Sequence, residues 1–178
     1  MKRERWQHAM NNLMSRRSRG TQGDSFEANL IRDYQAHLSK VFIGNSLLDV
    51  GCGDMGIKKY LSNEVQYLGI DAFPIHDKVL KMEIEEMLFD DGAFDTILCF
   101  AVLDGVHDVE LALRQMARVA AKNIVFLTGI GIEPDEYHTY KITEKLLSDN
   151  LPEFKRGYQE YFTPNVALLE FVKTTPQH

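Results

Sequence analysis

The sequence predicts an α/β protein: a mostly parallel seven-stranded sheet with an antiparallel C-terminal hairpin and helices on both faces. Three observations carry that expectation. Ser46 to Val50 and Val65 to Asp71 are short apolar runs that each hold an acid at or near the end, and Gly51 and Gly53 follow the first run directly. This is the pattern of buried parallel strands that stop in tight loops. Asp95 to Val102 is nearly all apolar, as a central strand covered on both faces should be. Phe154 to Phe162 and Asn165 to Val172 are separated only by Thr163-Pro164, too little chain for a crossover, so they must pair antiparallel.

The remaining elements follow in order. Trp6, Met10, Leu13 and Met14 fall on one face, which predicts an amphipathic helix over 3–15. Ser18 to Asp24, with Gly20 and Gly23, reads as a linker, so residues 1–24 form an N-terminal helix and linker ahead of a single domain over 25–178. Asp24 or Ser25 caps a second helix that carries Phe26, Leu30, Ile31, Tyr34 and Leu38 and ends before Gly44. After the first strand and its glycines, Ile57 to Leu61 continues as a crossover helix into the second strand. Pro74 interrupts the short interval that follows, so the next helix is lost or reduced to a turn before a short third strand over 79–84. Asp108 caps a helix bearing Val109, Ala112, Leu113, Met116 and Val119, and Asn123 to Thr128 is the fifth strand. The Gly129 to Pro134 loop and a short Thr143-capped helix with Leu146 and Leu147 lead into the terminal pair.

The 178 residues, 44% hydrophobic and 26% charged, suffice for one domain with a sizeable core. No apolar run reaches the roughly 20 residues of a membrane span. The opening Met1-Lys2-Arg3-Glu4-Arg5-Trp6 lacks the apolar core of a signal peptide, so a cytoplasmic protein is expected. Cys52 and Cys99 have no paired metal-ligand or redox spacing and read as small reduced packing residues. The net charge of −6 argues against a nucleic-acid-coating protein, although Lys2, Arg3, Arg5, Arg16, Arg17 and Arg19 gather near the N-terminus against Glu4.

A glycine-rich loop at the carboxyl end of a first strand is the crevice in which open α/β sheets hold an adenosine-bearing cofactor. Asp49 stands directly ahead of the glycines, where a carboxylate repels a pyrophosphate but suits an ammonium or sulfonium, so the loop favours S-adenosylmethionine (SAM) over NAD. Asp71 follows about 20 residues later, the interval at which such folds place a carboxylate against the ribose hydroxyls. Asp49-Val50-Gly51-Cys52-Gly53 closely resembles motif I of the class I SAM-dependent methyltransferases, and Tyr67-Leu68-Gly69-Ile70-Asp71 resembles motif II. Glu85 to Asp95 resembles the family's acidic, Phe-containing loop ahead of strand four, and the likeness runs from about Leu47 to the end of the chain. It implies a Rossmann-like methyltransferase fold with SAM as cofactor. Asp49, Gly51, Cys52 and Gly53 would then form the cradle, with Asp71 on the ribose. Glu83 would accept from the adenine amino group, with Ile84 on one ring face and Ala72 or Phe73 on the other. Phe100, at the end of strand four, joins the cofactor-binding set. Two departures stand out: Met55 replaces a frequent third glycine, and Ala101 occupies a position that is often polar.

Methyl transfer from a sulfonium is an in-line displacement, so the protein mainly holds the acceptor and excludes water. Asp104, His107, Tyr137, His138 and Tyr140 lie on expected substrate-side loops, with Asp104, His107 and Tyr140 as catalytic candidates for deprotonating or orienting an acceptor. Cys99-Phe100-Ala101-Val102 lacks the Asn- or Asp-Pro-Pro-aromatic turn used on base amines, and neither cysteine stands where a C5-methylation nucleophile would. Asp104, His107 and Asp108 give no firm metal set, so no metal is expected. The expected function is O- or N-methylation of a small molecule or glycan precursor. RNA methylation guided by the basic segment and a SAM-binding regulator without catalysis are the alternatives. The helix over 3–15 either covers the cofactor mouth or is an arm that contacts RNA or a membrane, and we expect the former because the lone tryptophan, Trp6, lies on its apolar side and the remaining chain is acidic.

Overall fold

The computed structural model describes residues 2–18 and 34–174. Strands β1 (Ser46–Val50), β2 (Gln66–Asp71), β3 (Leu80–Lys81), β4 (Phe94–Phe100), β5 (Ala120–Gly129), β6 (Phe154–Thr163) and β7 (Val166–Lys173) form one sheet in the order β3-β2-β1-β4-β5-β7-β6. The first five pair in parallel, and β7 runs antiparallel to both neighbours, β5 and β6. The expected sheet, with its reversed terminal hairpin, is the one observed.

Strand alternation sorts the apolar side chains into two layers. Leu48, Val50, Ile70, Ile97, Cys99, Ile124 and Phe126 face α3 (Val109–Val119) and α4 (Glu144–Asn150). Leu47, Leu98, Val125 and Leu127 face the opposite side, under α2 (Tyr34–Val41) and a 3-10 turn at Gly56–Tyr60. In α3, Asp108 caps the first turn by accepting from Leu111 N–H, a contact worth about 1 kcal/mol, and Val109, Ala112, Leu113, Met116 and Val119 are all buried. Helix α1 (Lys2–Ser18) stands apart from both layers: Trp6, Ala9 and Met10 are buried against Ala72 and Phe73, with Leu13 alongside. Among the described residues no helix is long and apolar enough to cross a membrane.

Most differences from the sequence reading lie at the carboxyl edge of the sheet. The crossover helix expected at 57–61 is a five-residue 3-10 segment, Gly56–Tyr60. Its entry residue, Met55, is left-handed at φ 60, and Leu61 is already extended at φ −92, so right-handed helix cannot propagate in either direction. The third strand is only Leu80–Lys81, because Met82 N–H turns to donate to Asp71 O and Ile84–Glu86 closes as a 3-10 turn. Strand β4 stops at Phe100, where Ala101 takes φ 55, whereas β5 begins early because α3 runs straight into it. The linker and the first part of the second expected helix, with Phe26, Leu30 and Ile31, lie outside the described residues.

Candidate functional site

The carboxyl ends of β1 and β2 lie side by side, with Asp49 opposite Gly69 and Val50 opposite Ile70. The chain leaves β1 through Gly51 and Cys52, whose N–H groups both donate to Ile70 O, at 2.8 and 3.1 Å. Gly51 is left-handed at φ +69, and a Cβ there would lie 2.3 Å from Val102 Cγ2, so this glycine is required by packing. Gly53, at φ +53, is different: a Cβ there would meet nothing within 4 Å. Its backbone borders open space above the strand ends, where a ligand can approach closely.

Asp71 is 8% exposed and held from both sides: Gly53 N–H donates to Oδ2 at 3.1 Å and Phe73 N–H to Oδ1 at 2.8 Å. Each oxygen keeps a further lone pair, so the carboxylate is oriented yet able to accept from two hydroxyls. Asp49 is 3% exposed, and Tyr67 Oη–H donates to its Oδ2 at 2.7 Å. Burial pushes Asp49 up to about 7, with the neighbouring Asp71 and Asp54 acting in the same direction and the Tyr67 bond against them. Burial also pushes the Cys52 thiol up to about 12, which keeps it protonated and unreactive.

Beyond Asp71, a hollow of about 300 Å³ is lined by Ala72, Lys81, Met82, Glu83, Glu86 and Leu88. Ile84 is buried just beneath the sheet edge, at the start of the 3-10 turn. Helix α1 forms the wall. Trp6, 5% exposed, stacks on Phe73 with centroids 5.7 Å apart and meets the His107 ring edge-on at 5.6 Å. Arg3 Nη2 lies 3.1 Å from both carboxylate oxygens of Glu83, and Nη1 lies 3.7 Å from Glu86. His107 Nε2 reaches the same Glu83 at 3.3 Å. Glu83, Glu86 and His107 therefore bring three possible metal ligands within 4.8 Å of one another, but Arg3 already neutralises both carboxylates. Glu85, which looks like one more surface acid in the sequence, is 5% exposed and accepts from His107 N–H and Asp108 N–H ahead of α3.

The three catalytic candidates do not converge on one point. His107 lies beside Glu83, under Trp6. Tyr140 Oη–H donates to His107 O at 2.9 Å, which ties its hydroxyl to the backbone. Asp104 faces the other way, toward His138, whose Nε2 is 3.9 Å from Asp104 Oδ2 and whose Nδ1 is 2.8 Å from Asp135 Oδ1. Thr139 and Tyr140 N–H groups both donate to Asp104 O, so the loops after β4 and β5 are joined at this corner. Phe100 sits among the residues of the α2 layer. Sequence reasoning missed Tyr67 and Arg3 as partners of site acids. A large residue two positions before a glycine on the same strand face was the available signal for Tyr67.

A cofactor of the SAM type fits these groups. A buried acid waits at the glycine loop, a backbone-oriented carboxylate stands at the next strand end, and open space lies above Gly53. A pyrophosphate fits poorly, since the loop leads into a five-residue 3-10 turn and offers no α-helix N-terminus.

The family described as methyltransferase domain matches residues 48–128. The chain is 24% identical over 153 residues to a ubiquinone biosynthesis O-methyltransferase of Pelagibacter ubique, covering 77% of this chain and 64% of that protein. It is 29% identical over 127 residues to ajmaline N-methyltransferase of Rauvolfia serpentina, covering 57% and 43%. The chain thus spans less than two thirds of the length of either relative. Among solved structures, 1,6-didemethyltoxoflavin-N1-methyltransferase of Burkholderia thailandensis, with bound 1,6-didemethyltoxoflavin and S-adenosylhomocysteine, superposes with a TM-score of 0.70 at 16% identity, covering 93% of this chain and 87% of that one. Its sheet order is that of the methyltransferase fold seen in this solved structure, and the stretch that matches the methyltransferase domain family, residues 48–128, holds Asp49, the glycine loop and Asp71.

Proposed function

We propose that the protein binds SAM across the carboxyl ends of β1, β2 and β3 and methylates an oxygen or nitrogen of a small molecule. The observation that carries this reading is the pairing of a buried Asp49 with an Asp71 oriented by Gly53 and Phe73, around a glycine whose side-chain position is open. Asp49 would receive the ammonium of the methionyl part, Asp71 the ribose hydroxyls, and the hollow beside Ala72, Met82 and Glu83 the adenine. When bound, the cofactor supplies an electrophilic methyl group. The chain's own residues orient the acceptor and exclude water from it. Trp6 and Phe73 form the apolar cover, and His138 Nε2, opposite Asp104, is the nitrogen that takes the acceptor's proton while Asp135 faces the resulting charge from Nδ1.

The names of the two relatives, one an O- and one an N-methyltransferase, support a small-molecule acceptor; a glycan precursor falls within the same chemistry. An RNA acceptor finds less support, because Lys2 and Arg3 pair with Asp108, Glu83 and Glu86. The test is calorimetric binding of S-adenosylhomocysteine and NAD, followed by transfer of labelled methyl from SAM into fractionated cell extract. Tighter binding of NAD than of S-adenosylhomocysteine would end the proposal, and label appearing only in RNA would reassign the acceptor.

A further inference from the structure

The least ordinary group in the site is Asp49, a nearly fully buried carboxyl with no cation against it among the described residues. Alternation along β1 and β2 puts Asp49, Tyr67, Gly69 and Asp71 on the same side of the sheet, and the register sets Asp49 directly opposite Gly69. A Cβ at Gly69 would lie 2.6 Å from Cys52 Sγ and 3.2 Å from Tyr67 Oη, so the thiol and the phenol occupy the space of the missing side chain. This allows Tyr67 to reach across and donate to Asp49 Oδ2 at 2.7 Å. The titratable groups that face Asp49 are Tyr67 and Asp71 from β2 and Cys52 and Asp54 from the glycine loop, while Cys99 of β4 points to the other face of the sheet. Lys58, on the 3-10 turn, is engaged with the Tyr67 ring, 5.6 Å from its centroid. Among the described residues no Lys, Arg or His forms an ion pair with Asp49.

We propose that Tyr67 is the positioning residue of Asp49, and that cofactor binding is coupled to release of the Asp49 proton into solvent. The inference rests on the reading that Asp49 receives the cofactor's ammonium. On binding, the O–H bond of the Asp49 carboxyl breaks, the proton passes to buffer, and the resulting carboxylate accepts from the ammonium. Nothing is oxidised or reduced. Without a cation the buried carboxyl titrates near neutral pH, because burial and two carboxylate neighbours oppose its charge while the Tyr67 bond favours it. The sign follows from linkage. Binding requires the ionised form, so affinity is full above the ligand-free midpoint and falls as pH drops through it, by about tenfold between pH 8 and pH 6. Removing the Tyr67 donor disfavours the carboxylate further and moves the midpoint to higher pH.

The experiment is isothermal calorimetry of S-adenosylhomocysteine binding from pH 6 to pH 9, in buffers of different ionisation enthalpy that report protons released. The wild type should show the tenfold fall and proton release near pH 6.5. Tyr67→Phe should bind several-fold more weakly at pH 7.5 and recover by pH 9, whereas Asp49→Asn should bind weakly with a flat profile. An affinity independent of pH with no proton release from the wild type, which needs no variant to fold, would overturn the coupling. A loss in Tyr67→Phe of equal size at every pH would overturn the positioning role. Failure to bind S-adenosylhomocysteine at any pH would instead overturn the cofactor reading itself, and the proposal with it.

Discussion

Replacing Asp71 by Asn tests the site where its geometry is most complete. The carboxylate is 8% exposed and accepts two backbone N–H groups, one from the glycine loop at 3.1 Å and one from Phe73 at 2.8 Å. Asparagine keeps one acceptor oxygen, which can still serve Phe73, but turns an NH₂ toward Gly53 N–H. One charge-assisted hydrogen bond is therefore lost in the free protein, about 1.5–3 kcal/mol of stability. A ribose hydroxyl that bonded the charged oxygen loses a contact of the same kind, which corresponds to about a 10- to 150-fold weaker S-adenosylhomocysteine affinity. Calorimetric titration gives the affinity, and thermal unfolding followed by circular dichroism gives the stability. The two losses should appear together, because the same carboxylate holds the loop and the ligand. If Asp71→Asn is folded and binds S-adenosylhomocysteine within threefold of the wild type, the assignment of Asp71 to the ribose is refuted.

Three further outcomes are expected. Gly51→Ala should cost stability heavily, since its Cβ would lie 2.3 Å from Val102 Cγ2, while Gly53→Ala should cost only the roughly 1–2 kcal/mol of left-handed strain yet weaken S-adenosylhomocysteine binding by more than tenfold; wild-type affinity in Gly53→Ala would remove the loop from the ligand's path. The emission of Trp6, the single tryptophan, should change when S-adenosylhomocysteine is added, because its ring stacks on Phe73 at 5.7 Å; Trp6→Ala should free α1 for limited proteolysis and weaken binding without unfolding the sheet, and unchanged emission would disconnect α1 from the site. Lys122 and the Asn45 and Ser46 amides hold Asp95 at about 2, below its ordinary value of 3.8. The resulting stability, about 1–2 kcal/mol after solvent screening, is present above the ordinary value and lost as pH falls through about 2, so Asp95→Asn should destabilise at pH 6 and match the wild type near pH 1.5 in thermal unfolding.

What could be read from the sequence was whatever depends on near neighbours. Strand ends marked by Asp49 and Asp71, the apolar run of β4, the Asp108 cap and the hairpin turn at Pro164 are all local signals, and the sheet assembled from them is the one observed. Contacts made across strands or between distant segments were not legible. Tyr67 bonds Asp49 only because the parallel register sets Gly69 opposite it, and no periodicity along one strand encodes that alignment. Arg3 meets Glu83 because α1 returns over the sheet edge, and Glu85 is buried because the chain turns it under His107 and Asp108. The segment after β1 closes as a 3-10 turn and not the expected crossover helix, because the deciding feature, a left-handed Met55, is a backbone state that composition does not show.

The order of the last two strands bears on how the chain is made. β6 precedes β7 in sequence but lies outside it, so the sheet cannot close when β6 is synthesised. Until β7 is available, the edge of β5 presents the unpaired backbone of the apolar run Ile124 to Leu127, an invitation to pair with another chain. A chain made as far as Phe162 therefore still presents β5 as an open edge of the sheet. The tight turn at Pro164 shortens that exposure, because β6 and β7 can form a hairpin locally and dock on β5 as a unit, replacing two separate long-range closures with one.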